Sequence, residues 1–269
     1  MNQTLPTSVV PADMQRIRDL MQGYITDAAA LPISFVYGGE RIKGLPARFA
    51  PTVKEEKKDG VIERTFTGTD ETGLEITVVT TEYTDFPVAE IVAYFRSRDK
   101  DTPILRDILA FDGRFDGKRP VLYHNTGDYF SSNGYETRSE LMEPNFQTHM
   151  NFAPTGGRAC DEAFPYFKIQ YEGFGLNIAV GWPAQWKANF RSLEGGVALQ
   201  AGQEITHLYI KPGETIRTPR ITVMAYEGDY ARGINMWRRW YFKHILPRED
   251  GQPIPPKMCL HTWGIGGKQ

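Results

Sequence analysis

The segment VGWPAQWKANF, residues 180–190, sets Trp182 and Trp186 four apart in a chain that has only 5 Trp. A tryptophan face laid over the C–H side of a sugar removes apolar area from water while the ring hydroxyls stay hydrogen-bonded. Trp182 ends an alternating run and is expected in the core or in the wall of an interdomain interface. Trp186, beside Gln185 and Lys187, is expected to face a groove that could hold sugar. The polar loop 124–139, HNTGDYFSSNGYETRS, carries Asp128 and Tyr129 and has the mixed amide, hydroxyl and aromatic character of a carbohydrate contact surface. RACDEAFPYF, residues 158–167, places Arg158, Asp161 and Glu162 just before a strand, where an ion-paired turn is the plainer reading. The sugar or interface candidates are therefore Trp182, Trp186, Asp128, Tyr129 and Arg158.

Other chemistries find no pattern. DGRFDGKRP lacks the spacing of a phosphate-binding loop, and no G-x-S-x-G elbow occurs. The histidines, His124, His149, His207, His244 and His261, are scattered and form no metal-ligand spacing, so no metal and no cofactor is expected. The 33 Asp plus Glu identify no catalytic pair by count.

These residues must be positioned by elements, and the elements change character along the chain. PADMQRIRDLMQGYITD, residues 11–27, predicts a helix with Met14, Ile17, Leu20, Met21 and Tyr24 on one stripe. Pro11 and Asp13 suit its N-terminus. From about 32 to 226 the period becomes two. Leu74, Ile76 and Val78 oppose Glu75 and Thr77; Phe167, Ile169 and Tyr171 share a face; Leu176, Ile178, Val180 and Trp182 share another. ITVMAY from Ile221 is apolar on both faces, as an inner strand is. Turn signals at 38–39, 59–60, 72–73, 112–113, 133–134, 156–157, 194–196 and 212–213 cut the strands short. Short strands without interleaved helices predict a mainly β fold, an antiparallel β-sandwich or supersandwich, with an N-terminal helix and a C-terminal linker helix.

The closing helix is expected over 228–246, capped by Asp229, striped by Ile234, Trp237, Trp240, Tyr241, His244 and Ile245, and stopped by Pro247. PREDGQPIPPK then reads as a linker, and Met258–Trp263 as a strand that opens something beyond Gln269. The expected organisation is thus an N-terminal helical segment at 1–31, a sandwich at 32–247, and linker plus first strand at 248–269. The chain is read as a fragment whose next domain is absent from it.

Composition bounds the partners. With 269 residues, 41% hydrophobic and 12% aromatic, the chain can bury a proper core. A net charge of −2 shows no basic excess for nucleic acid. No run approaches a membrane span, and MNQTLPTSVVPADMQRIRDL has no basic stretch followed by an apolar one. Cys160 and Cys259 make no disulfide framework, which points to reduced thiols and a cytoplasmic protein.

Five segments in register carry a resemblance: GLP at 44–46, GLEITVVTTEYTDFPVAEIVAYFRSR at 73–98, GGRACDEAFPYF at 156–167, VGWPAQWKANF at 180–190, and IKPGETIRTPRITVMAYEGDYARGINMWRRWYFKHILP at 210–247. Together they resemble the N-terminal β-sandwich domain of glycoside hydrolase family 36, the α-galactosidases, over roughly residues 32–263. The resemblance implies a sandwich joined by its closing helix to a (β/α)8 catalytic barrel. It also implies a retaining mechanism, whose two carboxylates stand about 5–5.5 Å apart, with an α-galactoside-type sugar as substrate and a homo-oligomeric assembly. The family's nucleophile closes a Lys-x-Asp motif on a barrel strand; no such motif in a strand context occurs here, so no catalytic residue is carried over. The family's sandwich usually begins with further strands before the position of Phe35, where this chain has a helix-like start. The expected role is support of the barrel and of oligomer contacts, with an apolar patch from the helix stripe through which the isolated chain self-associates. The alternatives are a free-standing carbohydrate-binding module and a protein–protein sandwich with no sugar role.

Overall fold

A computed structural model describes residues 7–128, 132–144 and 148–258. Helix α1 (Pro11–Thr26) comes first, followed by β1 (Ser34–Tyr37), β2 (Glu40–Lys43), β3 (Thr52–Lys58), β4 (Val61–Thr69), β5 (Leu74–Tyr83) and β6 (Val88–Ser97). Next are β7 (Leu105–Asp116), β8 (Val121–Thr126), β9 (Thr137–Leu141), β10 (His149–Phe152), β11 (Ala163–Gln170) and β12 (Phe174–Gly181). Then come β13 (Trp186–Leu193), β14 (Gly196–Gln203), β15 (His207–Leu208), β16 (Thr215–Arg217), β17 (Arg220–Glu227) and helix α2 (Tyr230–Trp240). The strands form two antiparallel sheets. One has seven strands, in the order β10-β13-β14-β7-β1-β2 with β15 on β7; the other has ten, in the order β3-β4-β5-β6-β17-β12-β11-β8-β9 with β16 on β6.

Alternation explains how the sheets meet. Leu74, Ile76 and Val78 of β5 are fully buried, as are Phe35 of β1 and Phe111 and Phe115 of β7. Aromatic pairs cross between the sheets: Phe35 meets Phe95 edge-on at 5.1 Å, and Phe167 meets Phe190 at 4.9 Å. Strand β17 is apolar on both faces because it sits between β6 and β12 and is covered on both sides. Ile221, Val223 and Ala225 enter the main core, while Met224 and Tyr226 join Met236 and Trp240 of α2 in a second, smaller cluster.

The turn expected at Asp112-Gly113 is absent; both residues lie inside the 12-residue strand β7. Gly113 marks a close approach instead. A Cβ there would stand 2.8 Å from the Phe111 ring and 2.9 Å from Tyr24 Oη. The missing side chain lets Tyr24 of α1 reach β7, where its hydroxyl accepts from Arg114 N at 2.9 Å.

Both helices form where expected. In α2, Asp229 caps the N-terminus by accepting from Arg232 N at 2.9 Å. The helix stops being α-helical after Trp240 and ends in a π-helical turn, Tyr241–Ile245. That change of twist splits the expected stripe. Met236 and Trp240 are buried, while Tyr241, Phe242 and Ile245 are exposed. Gly233 packs so tightly on the buried Tyr226 that a Cβ would fall 2.3 Å from its ring. Overpacking of this kind costs about 1–3 kcal/mol, against a gain of about 1 kcal/mol from the better helix propensity of alanine. Gly233→Ala is therefore expected to lower the urea midpoint with an unchanged slope. A midpoint at or above that of the parent would mean that the Tyr226 ring can move aside.

Candidate functional site

Three of the segments singled out in the sequence converge. The β12–β13 turn, the 153–162 loop and the loop after β8 meet through short polar contacts. Asp128 N donates to the Cys160 carbonyl at 2.7 Å and Glu162 N to the Asp128 carbonyl at 3.2 Å, which zips the two loops together. The Arg158 guanidinium donates to Asp161 and stands 4.0 Å from the Asp128 carboxylate. Gln185 of the β12–β13 turn accepts from Gly157 N at 3.1 Å and donates to the Pro154 carbonyl. Asp128 and Arg158 are thus brought together, as part of an ion-paired loop junction. Tyr129 lies outside the described residues.

Of the two tryptophans, Trp186 departs from its expected position, while Trp182 packs against the edge of the main core. Trp186 is 0% exposed and, with Trp240, heads the largest fully buried side chains among the described residues. Its Nε1 donates to the Ala159 carbonyl at 2.7 Å, and its ring stands edge-on to Phe167 at 5.9 Å. Trp186 therefore faces no groove. The reason is register: β12 ends at Gly181, residues 182–185 are spent on the turn, and Trp186 becomes the first inward residue of β13, followed inward by Ala188 and Phe190. Trp182 falls beyond the end of its strand and is only partly buried, with the Arg217 guanidinium 5.1 Å from its ring centre.

A concave site that the sequence reading missed lies beside α2. It is a groove of about 340 Å³ walled by Phe164, Tyr166 and Lys168 of β11 and by Ile234, Trp237 and Arg238 of α2, with Asn125 and Asn177 at its polar edges. Phe164 and Tyr166 stack at 4.9 Å, and Tyr166 meets Trp237 edge-on at 6.0 Å. Lys168 Nζ lies 3.4 Å from Tyr230 Oη and 4.8 Å from the centre of its ring. Burial holds the Lys168 ammonium below the ordinary lysine pKa. Among the described residues neither Lys168 nor Arg238 has a carboxylate within ion-pair distance. The signal was present in AFPYFKIQ, whose alternation sends Phe167 and Ile169 inward and Phe164, Tyr166 and Lys168 outward. Among the described residues no group of His, Cys, Asp and Glu is arranged to hold a metal ion, and no helix is long and apolar enough to cross a membrane.

No family model and no curated protein matches the chain by sequence. Solved structures do match in fold. The α-galactosidase AgaB of Geobacillus stearothermophilus, described as GH36, superposes with a TM-score of 0.63 at 11% identity, over 80% of this chain and 32% of its own. A variant of AgaA from the same organism, in complex with raffinose, gives 0.63 at 12% identity, over 80% and 33%. The α-galactosidase of Lactobacillus brevis gives 0.61 at 11%, over 80% and 31%. This chain has the fold of one part of a GH36 α-galactosidase. It spans about a third of the length of those proteins, the share a single domain would take. At such identities the likeness establishes the sandwich architecture and assigns no residue a role.

Proposed function

We propose that this chain is the N-terminal, non-catalytic β-sandwich of a retaining, α-galactosidase-like glycoside hydrolase, and that it supports a (β/α)8 catalytic barrel and the contacts between subunits. The observation that carries this reading is the fold likeness over four-fifths of the chain to a third of each α-galactosidase. The end of α2 adds support. Tyr241, Ile245 and above all Phe242, which is 55% exposed, form an apolar face beside Arg239 and Lys243, a composition suited to a domain interface. On this reading the catalytic carboxylates belong to the barrel, an α-galactoside is the substrate of the whole protein, and the whole works in the cytoplasm. The domain limits follow the same scheme: helical segment 1–31, sandwich 32–247, connection 248–269.

The test is made on the native polypeptide. Mass spectrometry is expected to find peptides of this chain in a polypeptide about three times its length, by the share of the α-galactosidases it covers. Hydrolysis of p-nitrophenyl α-galactoside should copurify with it, and the 269-residue chain alone should hydrolyse none. A native polypeptide ending at Gln269, with no hydrolase bound to it, would overturn the proposal.

A further inference from the structure

We propose that the groove between β11, β12 and α2 is a binding site for an anionic sugar, a pyranose carrying a carboxylate or a phosphate. Its volume of about 340 Å³ lies within the range of roughly 300–1,000 Å³ typical of small-ligand sites. The walls are aromatic: Phe164, Tyr166 and Trp237 line the groove, and aromatic side chains supply the apolar surface on which the C–H groups of a sugar pack. Asn125 supplies a directed acceptor. Its Nδ2 donates to the Tyr135 carbonyl and to Thr137 Oγ1 at 3.0 and 2.8 Å, which fixes the amide and turns its oxygen to accept.

Charge decides the class. Lys168 and Arg238 are both cationic, line the same groove, and pair with no carboxylate among the described residues. Several other cations of this molecule do find one: the partly buried Arg64 reaches Glu55 and Glu82, the partly buried Arg16 reaches Glu227, and the buried Arg232 reaches Asp13. Lys168 is held among aromatic rings, where burial disfavours its charge. An anion in the groove would supply the missing counter-charge through charge-assisted hydrogen bonds, which are stronger than neutral ones. The groove is built from this chain alone, so the inference stands independently of any catalytic barrel.

The experiment titrates the full 269-residue chain with galacturonate, galactose 6-phosphate and galactose, followed by calorimetry and tryptophan fluorescence. At least one of the two anionic sugars should saturate and change the Trp237 emission, with an affinity about tenfold or more above that of galactose. Which anion binds separates a carboxylate site from a phosphate site. Lys168→Met should weaken that binding about tenfold and flatten its salt dependence. Arg238→Ala, on the exposed side of α2, should weaken it severalfold without touching the core. Equal affinity for galactose and its anions would overturn the proposal. So would an absence of saturable binding at millimolar anionic sugar, or unchanged binding in a folded Arg238→Ala variant together with a folded Lys168→Met variant.

Discussion

Arg232→Met is expected to cost about 3–5 kcal/mol of stability, the loss that follows when one member of a buried ion pair is removed and the other charge remains. The site shows why. Asp13 of α1 is 0% exposed, and Arg232 of α2 donates to both of its oxygens, to Oδ1 from Nη1 and to Oδ2 from Nη2, each at 2.7 Å. The same guanidinium reaches the Glu227 carbonyl at 2.8 Å and the Ser8 carbonyl at 2.9 Å. The carboxylate also accepts from Val10 N and Glu227 N, both at 2.8 Å, so it closes the start of α1 and fastens it to the end of β17. Methionine fills much of the arginine volume but leaves a buried carboxylate without a counter-charge and two carbonyls without a donor. Adding Asp13→Asn in the same chain should recover part of the loss, because the amide is neutral and its oxygen still accepts from a backbone N–H. For a chain of this size about 1 kcal/mol corresponds to roughly 2–4 °C in Tm, so the single variant should melt roughly 6–20 °C lower. Hydrogen exchange should show the extra opening concentrated in α1. A loss below about 1 kcal/mol would mean that water reaches Asp13 readily and that the pair is a surface bridge in energetic terms.

That ion pair spans 219 positions of sequence, and nothing local announces it. Asp13 reads equally well as a first-turn acid and Arg232 as one cation among several on α2. The same limit separates what was legible from what was not. Alternation in LEITVVTTEY follows from the pleat, so the inward set Leu74, Ile76 and Val78 could be written down without knowing its partners. The double-faced β17 likewise announced an inner strand. The resemblance in the 210–247 segment fixed the order of strand, cap and helix, and the structure has that order. Turns are less legible, because glycine serves two purposes: Asp112-Gly113 looks like a reversal and is a close approach within β7. The convergence of Asp128, Arg158 and Gln185 depends on strands from both sheets, and no single stretch encodes it. The groove went unread for a simpler reason: the outward residues of β11 gain meaning only once α2 lies over them.

Trp186→Ala is expected to cost about 3–5 kcal/mol, as large aromatic deletions in cores do. A tryptophan stacked on a sugar at the surface would behave in the opposite way, with affinity lost and stability kept. The burial of Trp186 beneath the 153–162 loop, against Phe167, places it in the first class. Two terms add. The ring leaves a cavity between the sheets, and the Ala159 carbonyl loses the indole donor. Trp186→Phe separates them: it keeps most of the apolar volume and gives up the N–H, so it should cost about 1–3 kcal/mol, the penalty of a buried group left unpaired. Trp182→Ala should cost less than either, since that ring lies beyond the strand end and is only partly buried. Urea midpoints for the three variants should therefore fall in the order Trp182→Ala, Trp186→Phe, Trp186→Ala, the last being the lowest. A Trp186→Ala chain with the parental midpoint would contradict the packing described here. The second effect is local. Ala159 stands between Arg158 and Cys160, and the 153–162 loop is held from the turn side only by Trp186 and Gln185 among the contacts described. Removing the indole should loosen that loop first, and the Arg158–Asp161 pair with it, so proteolytic nicking near Arg158 ought to appear before global unfolding does.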